Sequence, residues 1–440
     1  MKKLIIAILL LVSVQFIWAQ DNGLSLKHAI QTALDNRYDL QIGKVNTQIS
    51  ENEIKKINAR DLPQITSDLD WRYNTQLQTN MLPVGVIIND PTLPDRPVQF
   101  GTKFNTALGF NLNQNIFNPV NKGDKKIAQA QIGYDQLSEK VTENQIKLEV
   151  TEGYFNVLIW KEKVQLSLDN AQRTQAIYNT AKKQYKNGTI TANDLKRYEI
   201  DYENANAAYV KDQNSLGLAM NDLWYKIGVE PVESAVLSDT IEQLFLEHST
   251  IGLEGQLLER PELEMEKQQQ EIYQQHIKKQ NLSYWPTISL TGNYTFQFLH
   301  NEYRPFQSEY WFPYNFLGVK ASIPIFDGFL KERTKNEYRL RIQSSQLNLA
   351  KLKMDFGQDS KNAITSFKNA QADITYQQKN LELVNSLYTS DQNKLAKGTI
   401  TPNDLATTYY TLQQTQNNYL DAMYVYLMAV VQYKQAIGDL

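Results

Sequence analysis

Chemistry in a protein needs nucleophiles, metal ligands or clustered charges, and this chain is poor in the first two. It contains no cysteine, which excludes a disulfide framework, a thiolate zinc site, a cysteine nucleophile and a Cys-anchored lipoprotein. The four histidines, His28, His248, His276 and His300, are scattered without ligand spacing. No Gly-x-Ser-x-Gly elbow occurs, and the methionines do not cluster. The sequence therefore predicts no enzyme, no cofactor and no metal. Two short segments stand out instead. Gly188-Thr189-Ile190-Thr191-Ala192-Asn193-Asp194-Leu195 recurs 210 residues later as Gly398-Thr399-Ile400-Thr401-Pro402-Asn403-Asp404-Leu405. Each glycine can take the left-handed backbone that ends a helix, the following Thr and Asn-Asp can cap a new one, and Pro402 suits its first turn. Each segment reads as a tight turn between two helices, with Asp194 and Asp404 where a helix begins and its dipole favours a carboxylate.

These turns belong to a larger duplication. Ile227-Gly228 recurs as Ile437-Gly438 at the same offset, and Ile116-Phe117-Asn118 matches Ile325-Phe326-Asp327 at offset 209. Leu62-Pro63-Gln64-Ile65 matches Trp285-Pro286-Thr287-Ile288 at offset 223, so 14 extra residues of the first copy lie between its two strand segments. Matches kept in one order make a tandem repeat. The first copy is 20–228, the second 261–440, and a connector rich in Glu and Gly occupies 229–260. Residues 1–19 read as a signal peptide: Lys2-Lys3, then the apolar run Leu4–Val12, then Ala19 before a plausible cleavage point. An N-terminal anchor is the alternative.

Each copy repeats one order of parts: helix, strand, loop, strand, very long helix, turn, long helix. The strands are expected near 63–76, 103–117, 286–298 and 314–326 from period-two alternation. Ile65, Leu69, Trp71 and Tyr73 oppose Thr66, Asp68, Asp70, Arg72 and Asn74. Phe104, Leu108, Phe110, Leu112 and Ile116 oppose Asn105, Asn111, Asn113 and Asn115. Ile288, Leu290, Tyr294, Phe296 and Phe298 oppose Ser289, Thr291, Asn293, Thr295 and Gln297. Leu317, Val319, Ala321, Ile323 and Ile325 oppose Gly318, Lys320 and Ser322. At roughly ten residues each segment can cross a bilayer as a tilted strand. The loop 75–103 carries Pro83, Pro91, Pro94 and Pro97, which disfavours regular structure. The aromatics of 299–314 suit either an interfacial girdle or a small aromatic core.

Proline is absent from about 122–186 and 330–397, so each stretch can form a helix roughly 100 Å long at 1.5 Å per residue. The partner helices, about 192–227 and 402–437, carry heptad-like seams. Leu405, Tyr409, Leu412, Tyr419, Met423, Tyr426, Val430, Tyr433 and Ile437 step by threes and fours, as do Leu195, Tyr198, Tyr202, Ala205, Tyr209, Leu216, Ala219 and Leu223. Such a rhythm implies supercoiled, sideways-packed helices.

Composition narrows the class. Lys+Arg 45 against Asp+Glu 48 gives no basic face for nucleic acid. A mean hydropathy of −0.49 and no apolar run of about 20 residues after the leader exclude a polytopic helical transporter, but not a β-barrel, whose strands alternate. Four strands cannot close a membrane barrel, and an open sheet would leave edge groups facing lipid at several kcal/mol each. Several copies must share one barrel, and three would give about twelve strands, around a water-filled interior. A periplasmic coiled-coil scaffold with no lumen is the rival, and two-faced strands of membrane length speak against it.

The leader, the duplicated layout, the strand end Ile323-Pro324-Ile325-Phe326-Asp327-Gly328 and the twin Gly-Thr…Asp-Leu turns together resemble the TolC family of outer membrane efflux proteins, over about Leu24 to Ile437. The resemblance implies a mainly α chain with membrane β: a homotrimer whose twelve-stranded outer-membrane barrel continues into a long periplasmic α-helical coiled-coil barrel. It implies an exit duct, surrounded by outer-membrane lipid, that serves a periplasmic adaptor and an inner-membrane transporter. The cargo would be small molecules such as drugs, with type I protein secretion as the alternative. It also implies that the turns close the periplasmic entrance. Asp404 then matches an acidic constriction position and Asp194 its counterpart, unless both are ordinary helix-start residues. The second acidic position is Thr407 and a latching Arg is Ile400, so the constriction would be less negative and lack that latch. The adaptor-contacting tips would be Lys186, Asn187, Gly188 and Thr189 with Lys397, Gly398 and Thr399. Lys320 and Asn111 would line the pore.

Overall fold

The computed structural model describes residues 23–83, 87, 92, 94–231, 236–248, 260–397, 399–400 and 402–438. The leader and Gly398 lie outside the described residues. The chain divides into two compact units, each drawing on both sequence copies: one comprises 1–45, 135–266 and 348–440, the other 46–134 and 267–347.

The second unit is built on a four-stranded antiparallel sheet in the order β2-β5-β7-β8, where β2 is Gln64–Tyr73, β5 Phe104–Phe117, β7 Thr287–His300 and β8 Trp311–Ser322. Each strand follows or precedes a helix cut off by a turn. Tyr38–Ala59 (α2) leads into β2, Pro119–Lys186 (α3) follows β5, Pro261–Leu282 (α6) leads into β7, and Leu330–Ala396 (α7) follows β8. The two middle strands join the sequence copies: Asn111 of β5 stands opposite Asn293 of β7. The proline-rich loop is not wholly irregular. Thr79–Leu82 (β3) pairs with Arg96–Gln99 (β4) as a short ribbon, with Pro97 tolerated because a two-stranded ribbon has free edges.

Some of the aromatics around the β7–β8 turn pack on one another, while Phe306, Phe312 and Tyr314 stay exposed. Phe298 is fully buried, with Tyr303, Tyr310 and Trp311 at ring-centroid distances of 6.2, 6.4 and 5.7 Å. The Trp311 indole N–H donates to the Pro305 carbonyl at 2.8 Å.

The first unit is helical. It contains Leu26–Asn36 (α1), Ala192–Ile227 (α4), Ile241–His248 (α5), Pro402–Ile437 (α8) and the later parts of α3 and α7. Its core gathers Tyr154, Phe155 and Leu158 of α3, Leu223 and Ile227 of α4, Phe367 of α7, and Met423, Leu427 and Val430 of α8. The apolar spacing of α8 explains this: Met423, Tyr426, Val430 and Tyr433 are all essentially buried. Burial there is wider than the heptad seam, since Leu427, Met428, Ala429 and Val431 are buried too. The α4 helix buries far less, chiefly Ala205, Ala219, Leu223, Trp224 and Ile227. A two-residue parallel ladder joins Gly23–Leu24 (β1) to Val236–Leu237 (β6). The Tyr154 hydroxyl ties it down, its one proton shared between the Leu24 carbonyl at 2.7 Å and Asp239 at 2.9 Å. No helix among the described residues is long and apolar enough to cross a membrane.

Candidate functional site

The two hairpin turns share the hydrogen bonds of their threonines. In the first, α3 ends at Lys186 and Gly188 takes φ +73°, a left-handed conformation that suits glycine. The Thr189 backbone N–H and hydroxyl both donate to the Gln184 carbonyl, at 3.0 and 2.9 Å. In the second, the Thr399 N–H and hydroxyl donate to the Lys394 carbonyl, both at 3.0 Å. Gly188 stops the first helix, and in both turns the threonine closes the last turn. Lys186, Asn187, Gly188, Thr189, Lys397 and Thr399 are all exposed.

Asp194 lies in the first turn of α4 and completes a capping box. The Thr191 hydroxyl accepts the Asp194 N–H, and the Asp194 carboxylate accepts the Thr191 N–H at 3.1 Å and hydroxyl at 2.7 Å. The bond from the Thr191 hydroxyl, then that from its N–H, holds the carboxyl below the usual carboxylate range. Capping keeps the charge ionised at the tip. Asp404 occupies the matching place in α8 and is exposed, as is Thr407 one turn on.

Behind the tips, four helices of the same unit line a cavity of about 300 Å³, with Asn170 and Arg173 of α3, Tyr198 of α4, Tyr388 of α7, and Thr407 and Tyr409 of α8 among its walls. The Arg173 guanidinium packs on the Tyr409 ring, 2.8 Å from its centroid, and donates to the Tyr388 hydroxyl at 3.3 Å. Burial lowers its pKa from the ordinary arginine value. Tyr388 repeats Tyr178 at the 210-residue offset. In the first copy Tyr178 instead donates to Glu199 at 2.6 Å, which with partial burial pushes its hydroxyl up to about 12. The second hairpin is joined by the Thr408 hydroxyl, which donates to Asp391 at 2.8 Å. Neither Arg173 nor Asp391 emerged from the sequence reading. Their signal was available: a charged residue among the apolar positions of a long helical seam.

The sheet, within the other unit, has two chemically distinct faces. On one, Asn293 Nδ2 donates to Asn111 Oδ1 at 2.8 Å and Asn111 Nδ2 donates to Asp68 Oδ2 at 2.6 Å. Thr295 donates to Asn293, and Gln297 to Asn105. Asn111 is thus a link in a polar ladder. Lys320 shares this face, opposite Ser289. It is exposed and has no hydrogen-bond or ion-pair partner among the described residues. The face is less uniformly polar than the alternation of the other strands suggests. Phe312, Tyr314 and Phe316 stand opposite Gln297, Thr295 and Asn293. The other face exposes Ile65, Leu69, Trp71, Leu317 and Val319 at 55–73%. Hydrocarbon is the solvent that such a face fits.

A sheet with one lipid-compatible and one hydrogen-bonded polar face, on a chain that also forms two long helical hairpins, defines an outer-membrane channel subunit. The model of the outer membrane efflux protein family matches residues 29–228 and 253–439, and the chain belongs to that family. It is an outer-membrane efflux channel whose helical part extends into the periplasm. Solved structures share the fold. CusC matches at TM-score 0.67 and 16% identity, covering 96% of both chains. VceC of Vibrio cholerae matches at 0.65 and 15%, covering 94% of this chain and 96% of its own. The CmeC outer membrane channel of Campylobacter jejuni matches at 0.69 and 12%, covering 94% and 85%. No match was found among curated proteins.

Proposed function

We propose that the chain is the exit duct of a tripartite export system. Copies of it share one barrel, as a homotrimer, and pass small molecules received from a periplasmic adaptor and an inner-membrane transporter. The observation that carries this reading is the pair of tips on which exposed Thr189 and Thr399 make matching hydrogen bonds. The two sequence copies keep this threonine closure at an exposed turn. A repeated surface suits a partner that binds repeatedly around a ring. In this reading Lys186, Asn187, Gly188, Thr189, Lys397, Gly398 and Thr399 meet the adaptor. Asp194, Asp404 and Thr407 border the entrance, where ionised carboxylates raise the local cation concentration. Lys320 and Asn111 face the lumen, and no residue has a catalytic role. Protein secretion of type I is the other cargo class.

The test is photo-crosslinking in cells from positions 187 and 397. Capture of a periplasmic adaptor supports the duct, and the transporter linked to it identifies the cargo class. Capture only of further copies of this chain refutes tip docking.

A further inference from the structure

The four-stranded sheet is open, and its edges are β2 and β8. All of β2 and nearly all of β8 are exposed, including their outward residues. We infer that β8 of one copy pairs with β2 of the next in a single register, which sets Lys320 opposite Asp68 and Phe316 opposite Arg72 across each seam. This rests on the shared barrel proposed above and specifies how it closes.

The register follows from the ladder and from barrel geometry. Asp68 is level with Gly109, Gly109 with Thr295, and Thr295 with Tyr314. Lys320 is six residues beyond Tyr314 in sequence. Within one chain, then, Asp68 and Lys320 are separated by three strand spacings, about 14 Å, and by about 20 Å along the strands. They cannot meet there. A closed barrel tilts its strands by 35–45°, so each crossing of about 4.8 Å displaces the ladder along the strand. Over the four crossings that each chain contributes, the displacement is about 13–19 Å, or about four to six residues. Only an even displacement keeps the polar face inward. That leaves four or six.

The sense of the displacement is set by what the edges can pair. In one sense β8 and β2 overlap over only two to four residue pairs, and in the other over eight to ten. A displacement of four in the second sense places Lys320 opposite Thr66 and sets the Phe316 ring against the Asp70 carboxylate. A displacement of six places Lys320 opposite Asp68, Arg72 over Phe316, and Leu317 and Val319 against Trp71 and Leu69 on the lipid face. Both registers set Arg72, which pairs with Asp70 at 2.6 Å, over an aromatic ring, Tyr314 or Phe316, so the Lys320–Asp68 pair selects six. Asp68 already accepts from Asn111 through Oδ2 and retains Oδ1 for the ammonium. Each seam would then extend the Asn293–Asn111–Asp68 ladder into Lys320 of the neighbouring copy. The lumen at that level would be a neutralised polar belt instead of a ring of free lysines.

The absence of cysteine makes the test clean. Asn74 N–H donates to the Lys103 carbonyl, so the even-numbered residues of β2 turn their backbone groups toward β5. On the free edge they face a neighbour as non-hydrogen-bonded pairs, about 4.5 Å apart at Cα, within disulfide reach. Full-length Asp68→Cys/Lys320→Cys and Thr66→Cys/Lys320→Cys are oxidised in isolated outer membranes and run on non-reducing gels. The first pair is expected to give covalent multimers at least tenfold more than the second. Preference for the second pair overturns the register. Failure of both, with the unmutated chain still linked into a defined oligomer by an amine-reactive reagent, also overturns it while the shared barrel stands. A wild-type chain that stays monomeric sinks both. As an independent check, Lys320→Asp should lower the temperature at which the oligomer dissociates, and adding Asp68→Lys should restore it. No restoration refutes the pair.

Discussion

Replacing Arg173 by methionine tests whether the aromatic-caged guanidinium ties the first sequence copy to the second. The substitution removes a cation packed on Tyr409 and a 3.3 Å hydrogen bond to Tyr388, while keeping an unbranched chain of similar reach. A partly desolvated cation–π contact contributes about 1 kcal/mol, and a long hydrogen bond about 0.5–1 kcal/mol. Against these stands the cost of keeping the guanidinium half-buried, the same burial that lowers its pKa. Methionine does not incur it. The net loss is about 1–2 kcal/mol, or about 5- to 30-fold in a local opening equilibrium. The assay is native-state hydrogen exchange on the detergent-solubilised protein. Protection of amides around 170–177 and 385–410 should fall by that factor, while amides around Tyr154 and Leu223, in the main helical core, should not change. Arg173→Lys, which keeps the charge but loses the planar stacking group, should fall between the two. A change under twofold around residues 385–410, or an equal loss at both sites, refutes the idea of a local tie.

Three further outcomes are expected. Gly188→Val should destabilise the first tip by about 1–2 kcal/mol through backbone strain alone, because φ is +73° and nothing lies within 4 Å of an added Cβ; Gly188→Asn should be much milder, and equal thermal unfolding of the two would show that the left-handed turn is dispensable. The contribution of Asp194 to stability should be complete above its unfolded-state pKa of about 3.9 and be lost as pH falls through its lower folded-state value, because its bonds to Thr191 depress that value; Asp194→Asn should flatten the acid limb of tip exchange, and an unchanged limb would mean the box contributes nothing. Asp194→Asn with Asp404→Asn should reduce cation over anion selectivity in planar bilayers, and unaltered reversal potentials would leave both aspartates as caps only.

The readable part of this fold was the part governed by local periodicity. Helix ends at Lys186, Ala192, Ile227, Pro402 and Ile437 coincide with capping signals in the chain, because a cap is decided by a few neighbouring residues. Three of the long strands were legible because one side of each carries mostly Asn, Thr, Asp or other polar residues at every second position, and period-two alternation has no helical equivalent; the fourth, expected at 314–326, runs Trp311–Ser322 and lacks that polar side. Phe312 and Tyr314 escaped this logic. Their aromatic neighbours occur on both parities around Trp311, so the sequence alone does not say which face they take. The short ribbon of Thr79–Leu82 with Arg96–Gln99 was hidden for another reason: proline is judged against the interior of a sheet, whereas here both strands are edges.

The site was harder to read than the fold because its partners are distant in sequence. Arg173 meets Tyr388 and Tyr409 across more than 200 residues, and no window on the chain contains all three. Duplication makes such contacts intelligible afterwards. Tyr178 and Tyr388 descend from one repeat position, yet the first is held within its own hairpin by Glu199 while the second is held by an arginine from the other copy. At the position equivalent to Glu199 the second copy has Tyr409, which removes the local acceptor and supplies a ring face for a cation. The two hairpins thus share their threonine closures but differ just behind them: each carries an internal hydrogen bond, Tyr178 to Glu199 in the first and Thr408 to Asp391 in the second, and the second adds a contact with Arg173 of the other copy. The exchange experiment on Arg173→Met measures what that added contact between copies contributes.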